Sequence, residues 1–146
     1  MPSPVLDAGV PFRFLAPTPL RWVDVDSEGV VNNAVYLSLM EQARFLYFEQ
    51  LGVLPQDRLP FVLADARTTF LLPGRLRMDM ATAARVCRLG RSSFDMVFEV
   101  RGNGTALVRS SAVLVWVGAD LRPVPIDPVA RMRMALFEGI GAGSDC

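Results

Sequence analysis

Two acids, Asp24 and Asp26, stand just ahead of Gly29, and two asparagines, Asn32 and Asn33, follow it before an apolar run with helical spacing. One reading of this stretch is local, since Asp, Gly and Asn are ordinary loop and helix-cap residues. The other is chemical. The first N–H groups of a helix have no internal partners and sit at the positive end of its dipole. They can hold the oxyanion that forms when a carbonyl is attacked. A carboxylate beside them can take a proton from water or attack the carbonyl itself. Gly29 supplies the positive φ such a loop needs and lets a substrate approach closely. Asp24 alternates with Val23 and Val25; it either supports the loop or faces solvent. The side chain of Asn32 or of Asn33 is expected to cap the helix.

Composition narrows the chemistry further. The chain has 146 residues, of which 51% are hydrophobic. That suits one domain with a real core. Its fifteen acids balance fifteen basic residues, all of them arginine. No broad basic footprint exists, so nucleic acid is not an expected partner. There is no histidine, which removes Ser-His-Asp and Cys-His catalysis, histidine-bound zinc and histidine-based dehydratases. The two cysteines, Cys87 and Cys146, are too few for a cysteine-rich metal site. They are expected to remain unbridged, in keeping with a reducing compartment. No metal and no separate cofactor are expected. No apolar run reaches bilayer length, and the N-terminal residues lack the marks of a secretion signal. The expectation is a cytoplasmic protein with no membrane partner.

The elements that must position these residues follow from periodicity. Residues 1–11, with three prolines, read as a flexible lead-in, and 141–146 as a flexible tail. The domain between them spans 12–140. Residues 19–25 read as a first strand. Residues 34–51 read as a helix, with Tyr36, Met40, Ala43, Tyr47 and Leu51 on one face. Gly52 and Pro55 end it. The period then changes to two. Strands are expected over 61–72, 76–86, the segment from Phe94, and 106–117, with turns at Pro73-Gly74, 89–92 and 102–104. Asp127 followed by Pro128 starts a short terminal helix. Glu41 and Arg44, one helical turn apart, are expected to pair.

The run "RWVDVDSEGVVNNAVYLSLMEQAR" (21–44) resembles the hot-dog fold family of 4-hydroxybenzoyl-CoA thioesterase-like proteins. The matching residues are Arg21, Asp24, Asp26, Gly29, Val31, Asn32, Asn33, Tyr36, Leu37, Glu41, Ala43 and Arg44. "GRSSF" (90–94) and "LRPVPI" (121–126) extend the likeness over roughly residues 19–130. The resemblance implies an α+β fold: an antiparallel sheet of about five strands wrapped around one long central helix, with a short C-terminal helix. It implies a homodimer or homotetramer that hydrolyses acyl-CoA, or an acyl carrier thioester, at the subunit interface. It selects Asp26 over Asp24 as catalytic base or nucleophile, and the N–H of Asn33 as the group that polarises the carbonyl.

Many members of that family have histidine after the loop glycine, where this chain has Val30. Further expected substrate contacts are Gly29, Val30, Tyr36, Ser92 and Ser93. Arg88 and Arg91 are the candidates for the phosphates of CoA. The competing readings are a hot-dog module that binds an acyl thioester or scaffolds a partner without turnover, and an acyltransferase on the same fold.

Overall fold

The computed structural model describes residues 12–141. The expected lead-in at 1–11, and the tail beyond Gly141, lie outside the described residues. The chain runs through strand β1 (Phe14–Pro17), helix α1 (Val35–Leu51), strands β2 (Phe61–Phe70), β3 (Met80–Leu89), β4 (Ser93–Gly102) and β5 (Thr105–Trp116), and helix α2 (Pro128–Glu138). The strands make one sheet in the order β1-β3-β4-β5-β2, and every pairing is antiparallel. The sheet curls round α1, which is the hot-dog arrangement expected from the sequence. None of the described helices is long and apolar enough to cross a membrane.

The first strand is displaced from its expected place. Residues 14–17 pair with β3, and the expected strand at 19–25 is instead a short turn of 3-10 helix at Trp22–Asp24. The cause is local. Asp24 Oδ2 accepts from the Arg21 backbone N–H at 2.8 Å, and Oδ1 from the Arg21 guanidinium at 2.9 Å. Such side-chain bonds compete with a ladder, and they curl a stretch whose alternation reads as extended.

Helix α1 begins and ends as its residues dictate. Neither asparagine caps the helix as expected, since the cap position falls on Ala34 without a side-chain bond; Asn32 Oδ1 instead accepts from the Ala34 N–H at 3.1 Å, closing the turn that leads into it. At the other end Gly52 takes φ +69°, and its N–H meets the Glu49 and Phe48 carbonyls. Tyr36, Leu39, Met40, Ala43, Tyr47 and Phe48 are buried against the concave face of the sheet. The Phe48 ring lies 4.9 Å from Phe61 and 5.7 Å from Phe94, and Trp116 completes the group. Each such ring removed from water contributes about 1.5–3 kcal/mol. The β4–β5 hairpin turns through Asn103 (φ 52°) and Gly104 (φ 82°), the left-handed pair a type I′ turn requires. The expected strand at 76–86 starts later, at Met80, because the Met78 N–H bonds back to the Arg75 carbonyl and makes a turn.

Cys87 is disulfide-bonded, which corrects the expectation of unbridged cysteines. Cys146 lies outside the described residues.

Helix α2 is capped as expected, with Asp127 Oδ2 accepting from the Ala130 N–H at 3.1 Å. Its last residue, Glu138, has a structural use that periodicity does not show. β1 pairs with β3 only as far as Ala84. Past that point, Glu138 Oε2 accepts from the Val86 N–H at 2.8 Å and from the Tyr47 hydroxyl at 2.7 Å. A side chain thus takes over where the edge strand stops. Burial pushes the Glu138 carboxyl above its ordinary range, opposed by those two hydrogen bonds and by Arg13 and Arg85. A raised folded value means that the stability it contributes is full below the ordinary glutamic range and is lost as pH rises through the folded value. Wild type should therefore lose ground to Glu138→Gln as pH rises from the ordinary glutamic range, about pH 4, through neutrality. Urea unfolding at the two ends of that span reads the difference, and a constant difference would contradict the burial assigned to this carboxyl.

Candidate active site

Residues 24–32 fold back on themselves. The Asp26 N–H donates to the Val30 carbonyl (2.8 Å), the Gly29 N–H to the Asp26 carbonyl (3.0 Å), and the Asn32 N–H to the Asp24 carbonyl (2.9 Å). Val25 and Val31 bridge across the fold-back. The turn needs Gly29 at φ +77°. Nothing lies within 4 Å of where its Cβ would stand, so glycine is required here by backbone conformation and not by space.

The two acids take different parts. Asp24 is buried, and hydrogen bonds from the Arg21 side chain hold its carboxyl below the usual carboxylate range. Of its two expected uses, supporting the loop is the one observed. Asp26 is exposed in the protomer. Its Oδ1 accepts from the backbone N–H groups of Glu28 (2.9 Å) and Val30 (3.0 Å). Its Oδ2 has no hydrogen-bond partner among the described residues.

Across the loop, the amides from Val30 to Val35 can be accounted for one by one. Val30 donates to Asp26 Oδ1, Val31 to the Gly74 carbonyl, Asn32 to the Asp24 carbonyl, Ala34 to Asn32 Oδ1 and Val35 to the Asn32 carbonyl. The N–H of Asn33 alone has no partner among the described residues. It stands at the entry of a helix of 17 residues, where the dipole favours negative charge.

This end of α1 opens on a cleft of about 230 Å³ lined by Val30, Val31, Asn33, Tyr36 and residues 70–73. Val30, Asn33 and Tyr36, all named from the sequence, are thus brought together; Gly29 and Asp26 are outside the lining. The Tyr36 ring is buried with its hydroxyl accepting from the Gly74 N–H at 3.0 Å, and burial pushes its phenol above the ordinary range. The position of Gly74 depends on close approach, since a Cβ there would stand 2.6 Å from the Tyr36 hydroxyl. Sequence reasoning reads Gly74 only as a turn and overlooks the wall at 70–73. Both come to the cleft from across the fold, and no local signal marks them.

Ser92, Ser93, Arg88 and Arg91 are not brought to this cleft within one protomer. They sit at the β3–β4 turn, beside Phe94, which packs on Phe48 at the far end of α1. A helix of this length separates the two ends by about 25 Å. Arg88 is committed to Asp95 through two contacts of 3.0 and 2.9 Å and to Ser93 Oγ at 3.1 Å. The Ser92 carbonyl accepts from the Trp116 N–H and the Arg91 carbonyl from the Ile126 N–H. A larger hollow of about 420 Å³ lies at that far end, beside Asp127 and Arg133. Both polar groups are in use there: Asp127 caps α2, and Arg133 binds the Leu51 and Gly52 carbonyls. Among the described residues no three His, Cys, Asp or Glu side chains are grouped to hold a metal ion.

A curled antiparallel sheet, a buried central helix and an open amide at that helix's entry define a hot-dog protein of the thioesterase kind. The model of the thioesterase-like superfamily matches residues 20–134, and the chain belongs to that family. It is 35% identical to a thioesterase from Thermus thermophilus whose crystal structure is described as complexed with coenzyme A and Zn. The alignment covers 89% of this chain and 97% of that one, with a TM-score of 0.81. A thioesterase superfamily structure from Jannaschia sp. shares the fold, with a TM-score of 0.80 at 24% identity over 95% of this chain and 91% of that one. A chloroplastic acyl-acyl carrier protein thioesterase of Arabidopsis thaliana is 25% identical over 124 residues, 81% of this chain. The chain spans 65% of that relative's length.

Replacing Tyr36 by Phe removes the acceptor of the buried Gly74 N–H. Leaving such a donor unmet costs about 1–3 kcal/mol. Tyr36→Phe should lose that much stability in urea unfolding, with the slope of the transition unchanged. A variant as stable as wild type would show that the bond does not hold the cleft wall.

Proposed function

We propose that this chain hydrolyses acyl-CoA, or a related acyl thioester, to free acid and thiol. The observation that carries the reading is the unpartnered Asn33 N–H at the entry of α1, opening on a cleft. In this reading the thioester carbonyl oxygen accepts from that N–H. The donor is fixed before reaction begins, so it contributes most when charge develops on the oxygen; a donor of this kind is worth about 2.7–4 kcal/mol.

Asp26 is the acid–base or nucleophilic partner. One of its oxygens is held by the loop amides, which orients the group, and the other is open. As a base it takes a proton from water, and the resulting hydroxide adds to the carbonyl carbon. As a nucleophile it forms a mixed anhydride that water then opens. In both routes the C–S bond breaks and the thiol leaves with a proton.

Asp26 stands outside the cleft of its own protomer, so the reading requires a second copy to close the site. Strand β2 is suited to that. β5 lies on one side of it, no described strand lies on the other, and Val62, Leu63 and Phe70 are exposed. Pairing of two β2 edges gives a homodimer, and two such dimers a homotetramer. The Thermus relative's coenzyme A supports CoA as the carrier, and the Arabidopsis relative's name supports acyl carrier protein. The exposure of Asp26 and its use in the turn favour a second reading, a module that binds the thioester and does not cleave it.

Thiol release from a panel of aliphatic and aromatic acyl-CoAs separates the two. Asp26→Asn keeps an oxygen for the Glu28 and Val30 amides, so the loop should survive the change. Wild type should turn over, and the variant should lose at least about a hundredfold, the scale of a lost general base. Equal rates would remove Asp26 from the chemistry, and saturable binding without thiol release would establish the module instead.

A further inference from the structure

Arg44 is the anomaly of the buried face. Its side chain is 8% exposed. Its Nε is fully buried with no hydrogen-bond partner. The nearest acid, Glu41, is 3.9 Å away and its side chain is 70% exposed, so the expected pairing is loose and screened by solvent. No other partner of this guanidinium exists among the described residues; below it lies only the Phe98 ring, 6.0 Å to the centroid. Burial pulls its pKa down, yet arginine stays charged in proteins. A buried N–H without an acceptor is costly, so the fold leaves the Arg44 Nε open to one.

The guanidinium borders a second cavity, of about 190 Å³, between α1 and β2. Its walls are otherwise mostly apolar: Leu37, Met40, Leu63, Ala66 and Ala112, with the Ser110 hydroxyl already bonded to the Arg67 carbonyl. Both this cavity and the one at Asn33 lie along the same α1–β2 crevice. Leu37, Glu41 and Arg44 follow one another at helical spacing on one face of α1, and Asn33 stands in the turn just ahead of it. Tyr36 and Leu37, neighbours on α1, line the first and the second cavity respectively, so a group held by the Asn33 N–H has the cavity of the cation next along the helix.

We propose that Arg44 receives the far end of the acyl group, and that the preferred substrates are acyl thioesters carrying a carboxylate at that end. This rests on the thioester reading given above and adds the substrate class to it. A carboxylate fits a guanidinium through paired, charge-assisted hydrogen bonds. A plain alkyl end would leave the buried cation unmet. Length follows from geometry. Arg44 lies about 14 Å along the helix axis from Val35, with Asn33 just ahead, and its side chain leans back toward the N-terminus, leaving about 10 Å to span. An extended chain advances about 1.2 Å per bond, so an acyl group of about eight carbons reaches.

The test compares octanoyl-CoA with the mono-CoA thioester of octanedioic acid, on wild type, Arg44→Met and Arg44→Lys. Wild type should favour the carboxylated substrate by at least about tenfold in kcat/KM, the scale of one charge-assisted hydrogen bond. Arg44→Met should reverse the preference, acting mainly through KM, and Arg44→Lys should restore part of it. No preference in wild type, or one that Arg44→Met leaves intact, would overturn the proposal. If neither thioester releases thiol, hydrolysis is refuted separately, and calorimetric binding of the two thioether analogues decides this point: equal affinities overturn it. Sedimentation guards against the remaining explanation. A dimer that dissociates in Arg44→Met would mean that Arg44 binds a second copy of the chain, which also overturns the proposal.

Discussion

The site depends on one packing constraint: α1 is clamped in the hollow of the sheet from both ends. Toward its C-terminus, Tyr47 and Phe48 pack among Phe14, Phe61, Phe94 and Phe137, with ring centroids 4.9 to 5.7 Å apart. Toward its N-terminus, the Tyr36 hydroxyl and the Val31 N–H both bind the backbone of Gly74. A helix is a stiff rod, so once these contacts form, the direction and depth of its first amide follow. The open Asn33 N–H needs no support of its own. It is placed by aromatic burial that occurs far from it, and it is left open because every neighbouring amide is already engaged.

A second regularity concerns where the protomer is unfinished. The outer edge of β2, its exposed apolar side chains, the cleft at Asn33, the open oxygen of Asp26 and the uncompensated Arg44 are the groups whose needs the fold itself does not meet. The two cavities and the β2 edge lie on one side, between α1 and β2. On the opposite side β1 is a short edge strand, Glu138 covers the β3 edge beyond it, and Arg13 binds the Phe137 carbonyl. A sheet edge left bare beside apolar residues is a liability unless something covers it. The asymmetry makes the α1–β2 side the place for partners and ligands.

Local patterns are legible in the sequence to the extent that local forces decide them. The helix at 35–51, its Gly52 terminus, the hairpin at 102–104 and the Asp127 cap all depend on neighbours a few residues apart. The turn at Trp22–Asp24 is not legible, because a single Arg21–Asp24 interaction outweighs an alternation that reads as strand. Arg88 reads as available for phosphate and is held by Asp95 across the β3–β4 hairpin. Arg44 reads as half of a surface ion pair and is buried, since β2 and β4 close over the helix face that carries it.

The sequence alone determined the chemical vocabulary of this protein. With no histidine it excluded imidazole chemistry, and with an acid, a glycine and two asparagines ahead of an apolar helix it marked a stretch of chain where carboxylate and backbone groups meet. The tertiary structure decided which of two aspartates stays open, which amide lacks a partner, and which side of α1 faces a cavity. Those outcomes turn on hydrogen bonds and burial between segments far apart in the chain, such as Tyr36 with Gly74 and Arg44 with the Phe98 ring. Periodicity reports the average environment of a residue and carries no information about which distant group will meet it.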